Sequence, residues 1–130
     1  MRLLLASLGL LLLGVGTSHA ASSSFQRSCT DVRMEATSSE VYLFAQCRDR
    51  QGRYHPAELP LLGYHNDDGY LVRNGYENSS FQRSCDQYWL DVNNSSVTLN
   101  GNCRTRNGQY RESRTELQDI HNDDGRLVGN

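Results

Sequence analysis

Ser23-Ser24-Phe25-Gln26-Arg27-Ser28-Cys29 recurs as Ser79-Ser80-Phe81-Gln82-Arg83-Ser84-Cys85, 56 residues later. Outward from this stretch, Cys47-Arg48 recurs as Cys103-Arg104, and Gly52 and Tyr54 as Gly108 and Tyr110. His65-Asn66-Asp67-Asp68-Gly69 recurs as His121-Asn122-Asp123-Asp124-Gly125. The offset never changes, so neither copy has gained or lost a residue. Aligned as repeat 1 (residues 22–74) and repeat 2 (residues 78–130), the copies agree at 24 of 53 positions. Ungapped agreement of that extent implies two near-equal environments. That suits a pseudo-symmetric binder with two sites better than an enzyme with one.

The segment ahead of the repeats has a different character. Arg2 gives a positive start, Leu3 to Val15 an apolar run, and Ser18-His19-Ala20 a small-residue end. This pattern reads as a secretory signal peptide over residues 1–20, and a run this short falls below the roughly 20 residues a membrane span needs. A secreted, extracellular protein without membrane insertion is expected, with one domain over residues 21–130. Without Arg2 the chain has 12 basic against 15 acidic side chains. A net charge near −3 does not suggest nucleic acid or an anionic membrane as partner. Every basic residue is arginine; lysine is absent.

In an oxidising compartment Cys29, Cys47, Cys85 and Cys103 are expected to form two disulfides. Three pairings exist and all respect the repeat symmetry; locality favours Cys29–Cys47 and Cys85–Cys103. Zinc is disfavoured because no C-x2-C knuckle is present, and no metal or other cofactor is expected. Paired cysteines cannot act as catalytic thiolates.

Within each copy the apolar period is two. Val32, Met34 and Ala36 alternate with polar neighbours, as do Val41, Leu43, Ala45 and Cys47. Tyr88, Leu90 and Val92, then Val97, Leu99, Gly101 and Cys103, take the matching places. Such alternation predicts half-buried strands. Thr37-Ser38-Ser39 and Asn93-Asn94-Ser95-Ser96 are turn formers between them. Third strands begin at Tyr54 and Tyr110. Asp68-Gly69 and Asp124-Gly125 suit two-residue hairpin turns that demand positive φ, with Leu71-Val72 and Leu127-Val128 returning. Leu59-Pro60-Leu61-Leu62 and Thr115-Glu116-Leu117-Gln118 are read as single helical turns, and Arg73 to Asn78 as a linker. The fold class is mostly β, each half a three-stranded antiparallel sheet plus a hairpin. A copy of this size is marginal alone, so the copies are expected to intertwine, exchanging hairpins across a pseudo-two-fold.

These residues resemble the cyanovirin-N family of lectins. The resemblance rests on Phe25 to Cys29, then Cys47, Gly52 and Tyr54, then Asn66, Asp68, Gly69 and Leu71. It repeats in Phe81 to Cys85, Cys103, Gly108, Tyr110, Asn122, Asp124, Gly125 and Leu127. The resemblance implies intra-repeat disulfides and two glycan sites at opposite ends of an elongated molecule. It also implies a preference for terminal α1-2-linked mannose on high-mannose glycans. A monomer is expected, with a domain-swapped dimer as the alternative that family members reach by opening the linker.

Carried onto this chain, the resemblance assigns site A to Ser24, Arg27, Ser28, Arg48, Arg50, His121, Asn122, Asp123 and Asp124. Site B takes Ser79, Ser80, Arg83, Ser84, Arg104, Thr105, Arg106, His65, Asn66, Asp67 and Asp68. The chain departs from some members at Arg48 and Arg50, where they carry Glu and Thr, and at Arg27 and Arg83, where others carry Gln or Glu. The residues suit the task by their own chemistry: carboxylates accept paired bonds from vicinal hydroxyls, guanidinium forks donate pairs, and Asn does both.

Other readings fit less well. His-Asn-Asp-Asp-Gly is also a good local turn, although turn chemistry requires neither His nor the first Asp. A calcium loop lacks its alternating carboxylates. For hydrolysis there is no Gly-x-Ser-x-Gly elbow, and adjacent turn carboxylates cannot flank a glycosidic bond. A structural or inhibitory secreted protein is the remaining alternative. Asn78, Asn93 and Asn94 head glycosylation sequons.

Overall fold

The computed structural model describes residues 21–129. The leader expected over residues 1–20 lies outside them. Ten strands form two three-stranded antiparallel sheets and two hairpins. The first sheet comprises β1 (Cys29–Ala36), β2 (Val41–Arg48) and β3 (Tyr54–Pro60), with β2 central. The first hairpin is β4 (Leu62–Asp67) with β5 (Tyr70–Asn78). The second sheet, β6 (Cys85–Val92), β7 (Val97–Arg104) and β8 (Tyr110–Glu116), repeats the first. The second hairpin joins β9 (His121–Asp123) to β10 (Arg126–Val128). No helix among the described residues is long and apolar enough to cross a membrane.

The alternation in sequence becomes alternation in burial. Val41, Leu43, Ala45 and Cys47 turn inward along β2, and Val97, Leu99, Gly101 and Cys103 along β7. The disulfides join Cys29 to Cys47 and Cys85 to Cys103, as locality favours. Each closes an 18-residue separation, worth roughly 3 kcal/mol in the chain-entropy account. Both hairpin turns are type I′: Asp68 and Gly69 have φ of 54° and 92°, Asp124 and Gly125 53° and 92°, the combination whose twist matches its flanking strands.

The hairpins are exchanged. The hairpin of repeat 1 packs against β8 of repeat 2, and that of repeat 2 against β3 of repeat 1. Each half of the molecule therefore contains both repeats. Two buried serines lock the exchange. Ser79 donates to the Leu61 carbonyl (2.7 Å) and accepts from the Tyr64 N–H (3.0 Å). Ser23 does the same with Leu117 (2.8 Å) and Ile120 (3.1 Å).

Three local expectations are corrected. Residues 59–62 and 115–118 are not helical: β3 runs through Pro60 and β8 through Glu116. Leu61 and Leu117 then drop into the core, their N–H groups bonded at 2.8 Å to the carbonyls of Val41 and Val97. Pro56 and Pro60 are tolerated because β3 is an edge strand. The helical turns lie instead at Phe25–Arg27 and Phe81–Arg83, short 3-10 segments that sink each Phe into the core. The supposed linker is strand: β5 continues to Asn78, with a register shift between Leu62 and Tyr64 that accommodates the extra length.

Candidate functional site

In each repeat a His-Asn-Asp-Asp-Gly hairpin lies against the Ser-Cys and Cys-Arg segments of the other repeat. In site A the Asn122 amide donates to Ser28 Oγ (2.7 Å) and to the Arg48 carbonyl (2.9 Å). Its Oδ1 accepts the Gly125 N–H (2.8 Å), holding the turn. Asp124 accepts from the Arg50 N–H (2.9 Å), and the Arg50 guanidinium reaches Asp124 (3.3 Å) and Asp123 (3.6 Å). His121 Nδ1 meets Ser24 Oγ at 2.6 Å.

Site B repeats this bond for bond. The Asn66 amide donates to Ser84 Oγ and to the Arg104 carbonyl, both at 2.9 Å, and its Oδ1 takes the Gly69 N–H (2.7 Å). Asp68 accepts from the Arg106 N–H (2.9 Å), while the Arg106 guanidinium reaches Asp67 and Asp68 at 3.3 Å. His65 Nδ1 meets Ser80 Oγ at 2.6 Å. A shallow depression here is lined by Asn66, Asp67, Asp68, Ser84, Arg104, Thr105 and Arg106. Exposed ion pairs such as these add little stability. They hold the carboxylates and guanidinium forks in a fixed array.

The structure places three sequence-assigned residues elsewhere. Arg27 Nε donates to the Asn94 carbonyl (3.1 Å) and Arg83 Nε to the Ser38 carbonyl (2.6 Å), in the β6–β7 and β1–β2 turns. Ser79 is fully buried in the lock between the repeats. Thr105 lines its depression, but its hydroxyl accepts the Gln109 N–H (3.2 Å) and so closes the β7–β8 turn.

Sequence reasoning missed four residues of site A: Asp49, Gln51, Arg53 and His55. Its depression is lined by Asp49, Arg50, Gln51, Arg53, His55 and Asp124. Asp49 binds His55 Nε2 at 2.6 Å and accepts the N–H groups of Gln51 and Arg53, both at 2.9 Å. The imidazole first, and then these amides, hold its carboxyl down at about 2. The available signal was that Asp49 and His55 break the repeat, facing Thr105 and Arg111. Among the described residues no group of three or more His, Cys, Asp or Glu side chains is arranged to hold a metal ion.

The family described as the CVNH domain matches residues 25–128. The chain belongs to the cyanovirin-N homolog (CVNH) family. No curated protein sequence matches it. Several solved CVNH structures superpose on it over nearly their whole length. That of the CVNH protein of T. borchii has a TM-score of 0.63 at 26% identity, covering 82% of this chain and 99% of its own. Microvirin, solved as a mannobiose complex, has a TM-score of 0.61 at 27% identity, over 83% and 99%. A MoCVNH3 variant, solved in complex with (N-GlcNAc)4, has a TM-score of 0.63 at 18% identity, over 87% and 100%, which is a likeness of fold alone. Carbohydrate binding is the general function of the CVNH fold, and CVNH lectins are non-catalytic.

Proposed function

We propose that this CVNH protein is a secreted, bivalent lectin for mannose-rich glycans, reading terminal α1-2-linked mannose at two quasi-equivalent sites. One observation carries the reading. The same Asn, Asp, Asp, Ser and Arg set is assembled twice, each time from segments of both repeats. Turn formation alone would need the hairpins, but not their side-chain bonds to the partner segments. The relation to microvirin, solved with mannobiose, supports the choice of sugar. Secretion follows from the leader over residues 1–20. The working form is a monomer whose weak sites gain avidity on clustered glycans; swapped dimers are an accessible second state.

The test is an amide NMR titration of the secreted, processed protein with α1-2-mannobiose. Two separate groups of shifting resonances, around Arg48/Asn122 and around Arg104/Asn66, are expected. One group would remove bivalency. No shifts from a folded protein would remove mannobiose and return the structural-protein alternative.

A further inference from the structure

The two depressions share one scaffold but have different walls. His55 and Arg111 occupy equivalent places beneath the hairpin tips. A Cβ built on Gly125 would lie 2.9 Å from the His55 ring, and one built on Gly69 would lie 3.1 Å from Arg111 Nε. Arg111 turns to Tyr70, bonding its hydroxyl at 2.9 Å and covering its ring at 4.4 Å. His55 turns to Asp49. An ionised carboxylate at Nε2 fixes the proton there, so the neutral ring presents Nδ1 as an acceptor. Nδ1 has no protein partner among the described residues, and the side chain is 49% exposed in the depression.

Other acceptors around it are engaged. Asp49 holds two backbone N–H groups and the imidazole, Asp124 holds the Arg50 backbone and guanidinium, and Gln51 Oε1 takes the Arg53 guanidinium. Donors abound in Arg50 and Arg53. A sugar hydroxyl that accepts from either arginine can donate in turn, and His55 Nδ1 is an acceptor beside them without a protein partner among the described residues.

Building on the glycan-binding role above, we propose that His55 is a specificity-determining residue of site A. Its Nδ1 accepts a bond from a hydroxyl of a neutral sugar, so acidification weakens site A more than site B. Protonation turns Nδ1 into a donor and removes the acceptor. The charged groups around the ring are Asp49, Arg50 and Arg53 from the β2–β3 turn. From the hairpin comes Asp124, whose neighbour Asp123 pairs with Arg50 at 3.6 Å and Arg126 at 3.8 Å. All three carboxylates have arginine partners. Asp49 itself stays ionised through the range in which imidazoles titrate. His121 and His65 hold matching positions against Ser24 and Ser80, each 2.6 Å from the serine hydroxyl, so they do not distinguish the two sites.

The experiment is the mannobiose titration of the secreted, processed protein at about pH 7.5 and about pH 5, bracketing imidazole titration, with both ends followed separately. Site A should lose about twofold to tenfold more affinity than site B, the range that one hydrogen bond spans. His55→Gln, whose amide oxygen accepts but does not titrate, should abolish the extra loss on acidification. Equal loss at both ends, no loss at site A, or a neutral His55 protonated on Nδ1 in its imidazole nitrogen spectrum would each overturn the proposal alone. Absence of binding at both ends would overturn the glycan reading and this proposal together.

Discussion

The side-chain amide of Asn122, in repeat 2, donates to the backbone carbonyl of Arg48, in repeat 1, at 2.9 Å. With its bonds to Ser28 and Gly125, this residue fastens a hairpin to a sheet 74 positions away in sequence. Asn122→Ala should lower unfolding free energy by about 1–3 kcal/mol and abolish mannobiose binding at site A. Site B should bind as before. Urea unfolding and the two-ended NMR titration read both effects; full affinity at site A in the variant would contradict the assignment.

Arg27 and Arg83 make a different prediction from their neighbours. Each ties its 3-10 turn to a β-turn of the other repeat, helped by Gln26 and Gln82, whose amides reach the Asn94 and Thr37 carbonyls at 3.3 and 3.1 Å. Arg27→Ala and Arg83→Ala should each cost about 1 kcal/mol of stability. Sugar affinity should stay within about twofold, less than 0.5 kcal/mol. A tenfold loss of affinity in either variant would restore these arginines to the sites.

Asp49 sets an acid limb on stability. Its folded carboxyl titrates at about 2 instead of 3.8, chiefly because His55 binds it. A depressed folded value means stability present above the ordinary carboxylate range and lost as pH falls through the folded value. The loss should therefore fall between about pH 4 and about pH 2. Thermal melts across that window should show Asp49→Asn flatter than the parent. Parallel curves would mean that the pair contributes nothing to folding.

Gly63 sits at the register shift in β4 with φ of 85°, and a Cβ there would lie 2.2 Å from the Gly75 carbonyl oxygen. Repeat 2 has Asp119 at this place, also left-handed at 63°, but with Arg73 bonded to its carboxylate at 3.1 Å. Conformation alone is thus not the constraint at Gly63; the approach of β5 is. Gly63→Ala should cost more than about 2 kcal/mol, whereas Asp119→Asn, which still tolerates the left-handed region, should cost less. Urea midpoints in that reverse order would refute the packing account.

The repeat and its period-two alternation made the sheets, the disulfides and the hairpin turns legible, because each is local: a strand pattern, a loop closure, a pair of turn residues. The 3-10 turns at Phe25 and Phe81 were not legible, since burying one aromatic leaves no period to read. Leu59 to Leu62 looked helical by composition, yet Leu61 is needed in the core beside Val41, a demand set by tertiary packing. Arg27 and Arg83 sit beside Ser28 and Ser84 in sequence, but their turns aim them at the other repeat. His55 was not legible, because the repeat marks what the copies share and His55 faces Arg111 in the other copy.

The exchanged hairpins also constrain how the protein can diverge. A substitution in the His-Asn-Asp-Asp-Gly turn of one repeat alters the far end of the molecule, and one after its second cysteine alters the near end. Neither repeat owns a candidate site, so recombining one repeat from a relative would create two hybrid assemblies at once. Positions such as Asp49 and His55, which meet the other repeat's hairpin without being part of it, are where the two assemblies already differ.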